Sequence, residues 1–241
     1  MLKLEELHIG YNDGKRKPMR KLFETEDITF YPGDFVAVIG PNGSGKTTLF
    51  NTILSEQAAI AGQILYKDSE WSTISRDEKV KIISFVPSKF NGVDNLTVYD
   101  LIAMGRAPYT NILNQLTVHD HSVVEKVVAQ LGLQEFVHNN TLKLSDGERQ
   151  IAMIGKALAQ ETSVMILDEP TAFLDYNNRR KVLRLLQEIA IENNQLIFIS
   201  SHDLELCFEY CNRVVAIDSK AQKLIDFNAP FDKNGIINSV F

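Results

Sequence analysis

Residues 40–48 run Gly-Pro-Asn-Gly-Ser-Gly-Lys-Thr-Thr and follow directly on the apolar stretch Phe35-Val36-Ala37-Val38-Ile39. An apolar strand, a glycine-rich turn and a helix start form the arrangement that lets a chain wrap phosphates. Gly40, Gly43 and Gly45 carry no Cβ, so the backbone can curl until successive N–H groups point inward at an anion. The helix opening near Gly45 adds its positive end. Lys46 has the reach for the β- and γ-phosphates of a nucleotide, and Thr47 places a hydroxyl where Mg²⁺ can take it. Gly40, Pro41, Asn42, Gly43, Ser44, Gly45, Lys46, Thr47 and Thr48 are therefore the candidate cradle, with ATP and Mg²⁺ as the implied ligands.

A second cluster lies at the end of another apolar run, Val164-Met165-Ile166-Leu167, which is followed by Asp168 and Glu169. Parallel α/β sheets bind ligands outside the carboxyl ends of their strands, so carboxylates there face a nucleotide. Asp168 is expected to hold Mg²⁺ through a water, and Glu169 to orient and polarise the attacking water. A third strand end, Ser200-Ser201-His202-Asp203, places His202 where it can bond a γ-phosphate or steady that water.

The elements that must position these groups follow from the pattern. Residues 2–9 alternate as a strand and 12–14 (Asn-Asp-Gly) mark a turn. A second strand is expected over 22–31, closed by Pro32-Gly33-Asp34, and shorter strands over 62–66 and 81–86, the last stopped by Pro87. From about 91 to 159 the periodicity is helical, as in Val124, Val127, Val128 and Leu131. Continuous apolar runs then return at 164–167 and 196–199, as expected of parallel strands covered on both faces, with a helix over 176–191 between them. Final strands are expected at 214–217 and 223–225, then an irregular tail whose Phe231, Ile236, Ile237 and Phe241 dock on the core. The pattern is one α/β unit with a helical insertion.

The chain has 241 residues, enough for a proper core, and no stretch of apolar residues long enough to span a bilayer. The start, Met1-Leu2-Lys3-Leu4-Glu5-Glu6, lacks the layout of a secretion signal. A net charge of −6 argues against a nucleic-acid partner. Cys207 and Cys211 are better taken as two small buried residues on one helix face than as a metal pair, because no further ligand cluster accompanies them. His119-Asp120-His121 with Glu125 has an incomplete ligand spacing and fits a solvated helix cap better than a metal site.

Leu144-Ser145-Asp146-Gly147-Glu148-Arg149-Gln150 leads into the apolar-periodic helix 151–158. Capping chemistry alone makes Ser145 a good helix start. Lying between the two nucleotide motifs, however, residues 144–148 match the signature of the ATP-binding cassette (ABC) ATPases, usually Leu-Ser-Gly-Gly-Gln. The chain resembles that family from Tyr11 to His202. The resemblance implies a P-loop NTPase of α/β class with a mostly parallel sheet core, an N-terminal antiparallel β-subdomain and an inserted helical subdomain, all in one nucleotide-binding domain over 1–241. It also implies an ATP-bridged homodimer in which Ser145 and Gly147 contact the γ-phosphate held by a second copy's Lys46. Tyr11 matches the aromatic that stacks on adenine, and Asp175, in Leu174-Asp175, matches the loop facing the partner.

Two departures from the family pattern stand out. Asp146 and Glu148 place acids where the signature usually has Gly and Gln; this is unfavourable near a γ-phosphate unless they turn outward or Arg149 shields them. Ser88, in Phe85-Val86-Pro87-Ser88-Lys89, stands where the family generally has a Gln that reaches Mg²⁺ and the membrane partner. Serine spans that distance only through a bridging water.

The segment Leu101-Ile102-Ala103-Met104-Gly105-Arg106-Ala107-Pro108-Tyr109 is similar to that of importers for iron–siderophore complexes, haem and vitamin B12, although a helix end with a proline stop explains it equally well from the residues alone. The implied function is the ATPase of such an importer, at the cytoplasmic face of the membrane. Its partners would be permease subunits and, indirectly, a periplasmic or surface solute-binding protein. The alternative is a non-transport ABC ATPase acting as an assembly scaffold with soluble partners.

Overall fold

The computed structural model describes residues 1–11, 20–113 and 115–240. The turn expected at 12–14 and the docking of Phe241 lie outside them. In chain order the elements are β1 (Leu2–Tyr11), β2 (Arg20–Thr25), β3 (Ile28–Phe30), β4 (Phe35–Ile39), α1 (Lys46–Ile53), β5 (Ala61–Tyr66) and β6 (Ser69–Glu70). Then come α2 (Arg76–Ile82), β7 (Ile83–Val86), α3 (Val98–Ala103), α4 (Val118–Gln130), α5 (Asp146–Ala159), β8 (Val164–Leu167) and α6 (Tyr176–Glu192). The last are β9 (Leu196–Ser200), α7 (Leu204–Tyr210), β10 (Arg213–Asp218), β11 (Lys223–Asn228) and α8 (Lys233–Val240). The chain forms two compact units, one from Met1–Ser75 with Leu183–Phe241 and the other from Arg76–Val182.

In the first unit the strands run β6-β5-β1-β2-β11-β10-β4-β9, with β3 beside β1. β4 is buried along its whole length between parallel neighbours β9 and β10, as an unbroken Phe-Val-Ala-Val-Ile run requires. β1 pairs antiparallel with β2, β3 and β5, which gives the antiparallel N-terminal part. The single strand expected over 22–31 is in fact two, β2 and β3, broken at Glu26-Asp27. The break falls between the pairs His8↔Glu24 and Leu4↔Ile28, opposite Glu5 and Glu6. Like charges facing across a ladder disfavour pairing, and Lys3 bridges Glu5 and Asp27 instead. The tail is not irregular either: α8 buries Ile236 and Val240, one turn apart, and leaves Ile237 exposed. Cys207 and Cys211 are buried free thiols.

In the second unit β7 and β8 pair in parallel. β7 starts at Ile83, not at 81, because α2 runs on through Ile82 and the Gln160 amide donates to the carbonyls of Val80 and Ile83 at the junction. Helices α3, α4 and α5 each open on a reciprocal cap, Thr97 with Asp100, Thr117 with Asp120 and Ser145 with Glu148. Asp120 thus serves a helix start, and His121 Nδ1 lies 2.6 Å from the Tyr99 hydroxyl.

Candidate functional site

The glycine loop lies at the carboxyl end of β4, where the backbone must reverse within a few residues before α1. Gly40, Gly43 and Gly45 have φ of 154°, 74° and 110°, a region that L side chains rarely adopt. A Cβ on Gly40 would come within 2.8 Å of Ser44 Oγ, whereas one on Gly43 would meet nothing within 4 Å. The loop is therefore tight at its root and open at its crown. α1 begins at Gly45 with no side-chain cap and no acid in its first turn. Lys46 is buried, and its Nζ donates to the carbonyls of Gly40 (2.9 Å) and Pro41 (3.2 Å), which holds the ammonium inside the loop's curl. Ser44 Oγ is buried and has no hydrogen-bond partner among the described residues.

The same unit brings Tyr11 and His202 to this loop. The Tyr11 hydroxyl lies 2.9 Å from Thr48 Oγ1, tying the end of β1 to the first turn of α1. β4 and β9 pair with Val38 opposite Ser200, so Gly40 and His202, each two residues further on, leave the sheet at one edge. His202 is exposed, and next to it Asp203 caps α7 through the Leu206 N–H.

In the second unit, β7 and β8 pair with Val86 opposite Leu167, and the Asp168 N–H donates to the Val86 carbonyl at 2.9 Å. Ser88, Asp168 and Glu169 therefore leave that strand pair together. Glu169 has φ 48°, a left-handed backbone that is unfavourable for a side-chain-bearing residue and that re-aims its carboxylate just as the strand ends. Gly147 lies in the first turn of α5, and a Cβ on it would stand 3.7 Å from both Leu174 and Asn178. That is ordinary contact, so nothing among the described residues demands a glycine there. Asp175 accepts from the Asn178 N–H at 2.9 Å, which holds its carboxyl below the usual carboxylate range.

The charges of the signature segment are arranged unevenly. Arg149 pairs with Asp146 at 2.6 Å, while Glu148 folds back onto Ser145.

Two features escape a reading of the sequence. Gln150 Nε2 is buried without a partner among the described residues and lines a cavity of about 280 Å³ with Ser88, Lys89, Asp146, Arg149 and Phe173. Arg106 is buried beneath the 104–109 segment, where it bonds Asp120 (2.9 Å), the Ala159 carbonyl (2.7 Å) and Glu161 (2.7 Å). Only the apolar setting of a lone arginine hinted at the second. A larger cavity, of about 750 Å³, is lined by Glu6, Glu24, Glu26, Asp27 and Asp226 among others. Its carboxylates repel a triphosphate, so size is not the guide to the site.

Residues 23–172 match the family model described as ABC transporter. An ABC transporter ATP-binding protein of Methanocaldococcus jannaschii is 32% identical over an alignment covering 100% of this chain and 81% of that protein. A siderophore transport system ATP-binding protein of Bacillus subtilis is 32% identical over 90% of this chain and 76% of its own length. Among solved structures, a metal-chelate type ABC transporter in an inward-facing conformation superposes with a TM-score of 0.82 at 26% identity, covering 100% of this chain and 88% of that one.

Proposed function

The chain belongs to the ABC transporter family, and on that premise we propose that it is the ATP-hydrolysing subunit of an importer. It would power uptake of a metal chelate (an iron–siderophore, haem or cobalamin complex) through membrane permease subunits. The observation that carries the nucleotide part is the unpartnered Ser44 hydroxyl buried in the glycine loop at 40–48. The loop is open over Gly43, and the buried Ser44 hydroxyl, without a hydrogen-bond partner among the described residues, is a donor in want of an anion. A buried hydroxyl without an acceptor is costly, and a phosphate oxygen relieves it. The importer part is supported by the siderophore and metal-chelate relatives.

Each residue then has a role. Gly40, Pro41, Asn42, Gly43, Ser44 and Gly45 wrap the phosphates with backbone N–H groups, Lys46 neutralises the β- and γ-phosphates, and Thr48 anchors Tyr11, whose ring stacks on adenine. Thr47 directly, and Asp168 and Ser88 each through a water, would supply the hard oxygen donors that suit Mg²⁺, which when bound would offset charge on the transferring phosphoryl group. Glu169 orients and polarises the water that attacks the γ-phosphorus as the bond to the ADP oxygen breaks, and His202 bonds a γ-phosphate oxygen. Ser145 and Gly147 meet the γ-phosphate held by a second copy, with Asp175 facing that copy, so ATP joins the dimer and hydrolysis releases it.

No helix of the described residues is long and apolar enough to cross a membrane. The chain is proposed to act peripherally, at the cytoplasmic face, with a solute-binding protein reached only through the permease. Replacing Glu169 with Gln tests the chemistry. Hydrolysis should fall by roughly 10²–10⁴-fold while ATP binding survives and a stable ATP-bound dimer accumulates. Turnover at the parental rate would reassign the base.

A further inference from the structure

We propose that the Glu148 carboxylate is a built-in competitor for the phosphate-binding end of α5, and that its displacement sets how readily ATP closes the dimer. The proposal rests on the reading that Ser145 meets a γ-phosphate held by a second copy. It starts from a difference between two helix starts in one chain. α1 opens on Gly45 without a side-chain cap or a first-turn acid. α5 opens already closed: the Ser145 N–H donates to Glu148 Oε2 at 2.8 Å and the Ser145 hydroxyl to the same oxygen at 2.7 Å. Ser145 Oγ in turn accepts from the Glu148 N–H at 3.3 Å.

One carboxylate oxygen thus takes both donors of Ser145. The second acid of that turn, Asp146, is neutralised by Arg149, but Glu148 has no cation partner among the described residues. A γ-phosphate oxygen needs the same N–H and O–H at hydrogen-bond distance, and two anions cannot share them. Closure must therefore break two charge-assisted bonds and swing a carboxylate aside, once in each of the dimer's sites. Glu148 belongs to α5 and not to the loop at 40–48, so its cost falls on dimerisation and not on that loop's own hold on ATP.

Glutamine at 148 keeps the shape and the capping, since its amide oxygen accepts the same two donors. It removes the charge, and with it the repulsion and the stronger bonds. The test compares Glu169→Gln with Glu169→Gln/Glu148→Gln in saturating Mg-ATP by sedimentation, and measures binding of a fluorescent ATP analogue to dilute monomer. Glu148→Gln should tighten the ATP-bound dimer by about 10-fold or more, equivalent to about 1.4 kcal/mol, with monomer affinity for nucleotide unchanged. Asp146→Asn removes an equal charge but leaves the Ser145–Glu148 bonds, and should give a clearly smaller gain. A dimer constant that is unchanged or weakened in Glu148→Gln overturns the proposal. So does an equal gain from Asp146→Asn, which would assign the effect to net charge alone. If neither Glu169→Gln protein forms an ATP-dependent dimer, the shared-site reading itself falls, and this proposal with it.

Discussion

Ser88 sits half-buried just beyond β7, on the wall of the cavity of about 280 Å³ that is also lined by Gln150, whose Nε2 has no partner among the described residues. The cavity has room for a longer side chain at 88, so Ser88→Gln should be accommodated without repacking. A bridging water costs roughly 0–2 kcal/mol relative to a direct contact. Replacing that bridge should therefore raise the ATPase rate by up to about 30-fold, since ~1.4 kcal/mol is tenfold. An unchanged rate and unchanged stimulation by the permease would contradict the role given to Ser88. At this scale the loop at 40–48 was legible in the sequence because three glycines, a lysine and a threonine at fixed spacing encode a backbone shape directly. The Gln150 amide was not, because being unpartnered is a property of surroundings and no spacing records it.

The segment Met104–Tyr109 shows how an element is held rather than merely formed. Gly105 lets it lie so close to α5 that a Cβ would fall 2.1 Å from the Lys156 carbonyl. Arg106 then clamps it to Asp120 at the start of α4 and to the end of α5. Hydrogen bonds from Thr117, with further help from Arg106, pull the Asp120 carboxyl down to about 2 from an ordinary 3.8. A lowered carboxyl pKa contributes stability that is fully present above the ordinary value and is lost as pH falls through the folded one. Urea midpoints should therefore drop between about pH 4 and pH 2, and Asp120→Asn should flatten that part of the profile. At neutral pH the same variant leaves a buried guanidinium with half-exposed Glu161 as its one charged partner among the described residues, at a cost of up to about 3–5 kcal/mol. A pH profile and urea midpoint matching the parent would contradict the clamp. Helix periodicity found α4 and α5, yet this clamp joins residues more than fifty positions apart and is invisible to any local pattern. The split of β2 from β3 and the helical tail α8 were missed for related reasons. One depends on which charges end up opposite each other, the other on an apolar pair too short to stand out.

For the whole molecule, the central claim is that each nucleotide is gripped by two copies. Nothing in composition or periodicity announces a shared site; only the signature at 144–148 suggested it. The most direct measurement mixes two disabled proteins. Lys46→Ala lacks the cradle's ammonium and Ser145→Ala lacks the partner's hydroxyl, so neither homodimer holds a complete site. A mixed dimer contains one site with both groups intact. ATPase activity on mixing, well above the sum of the separate proteins, is the predicted result; a mixture no more active than that sum would contradict the account.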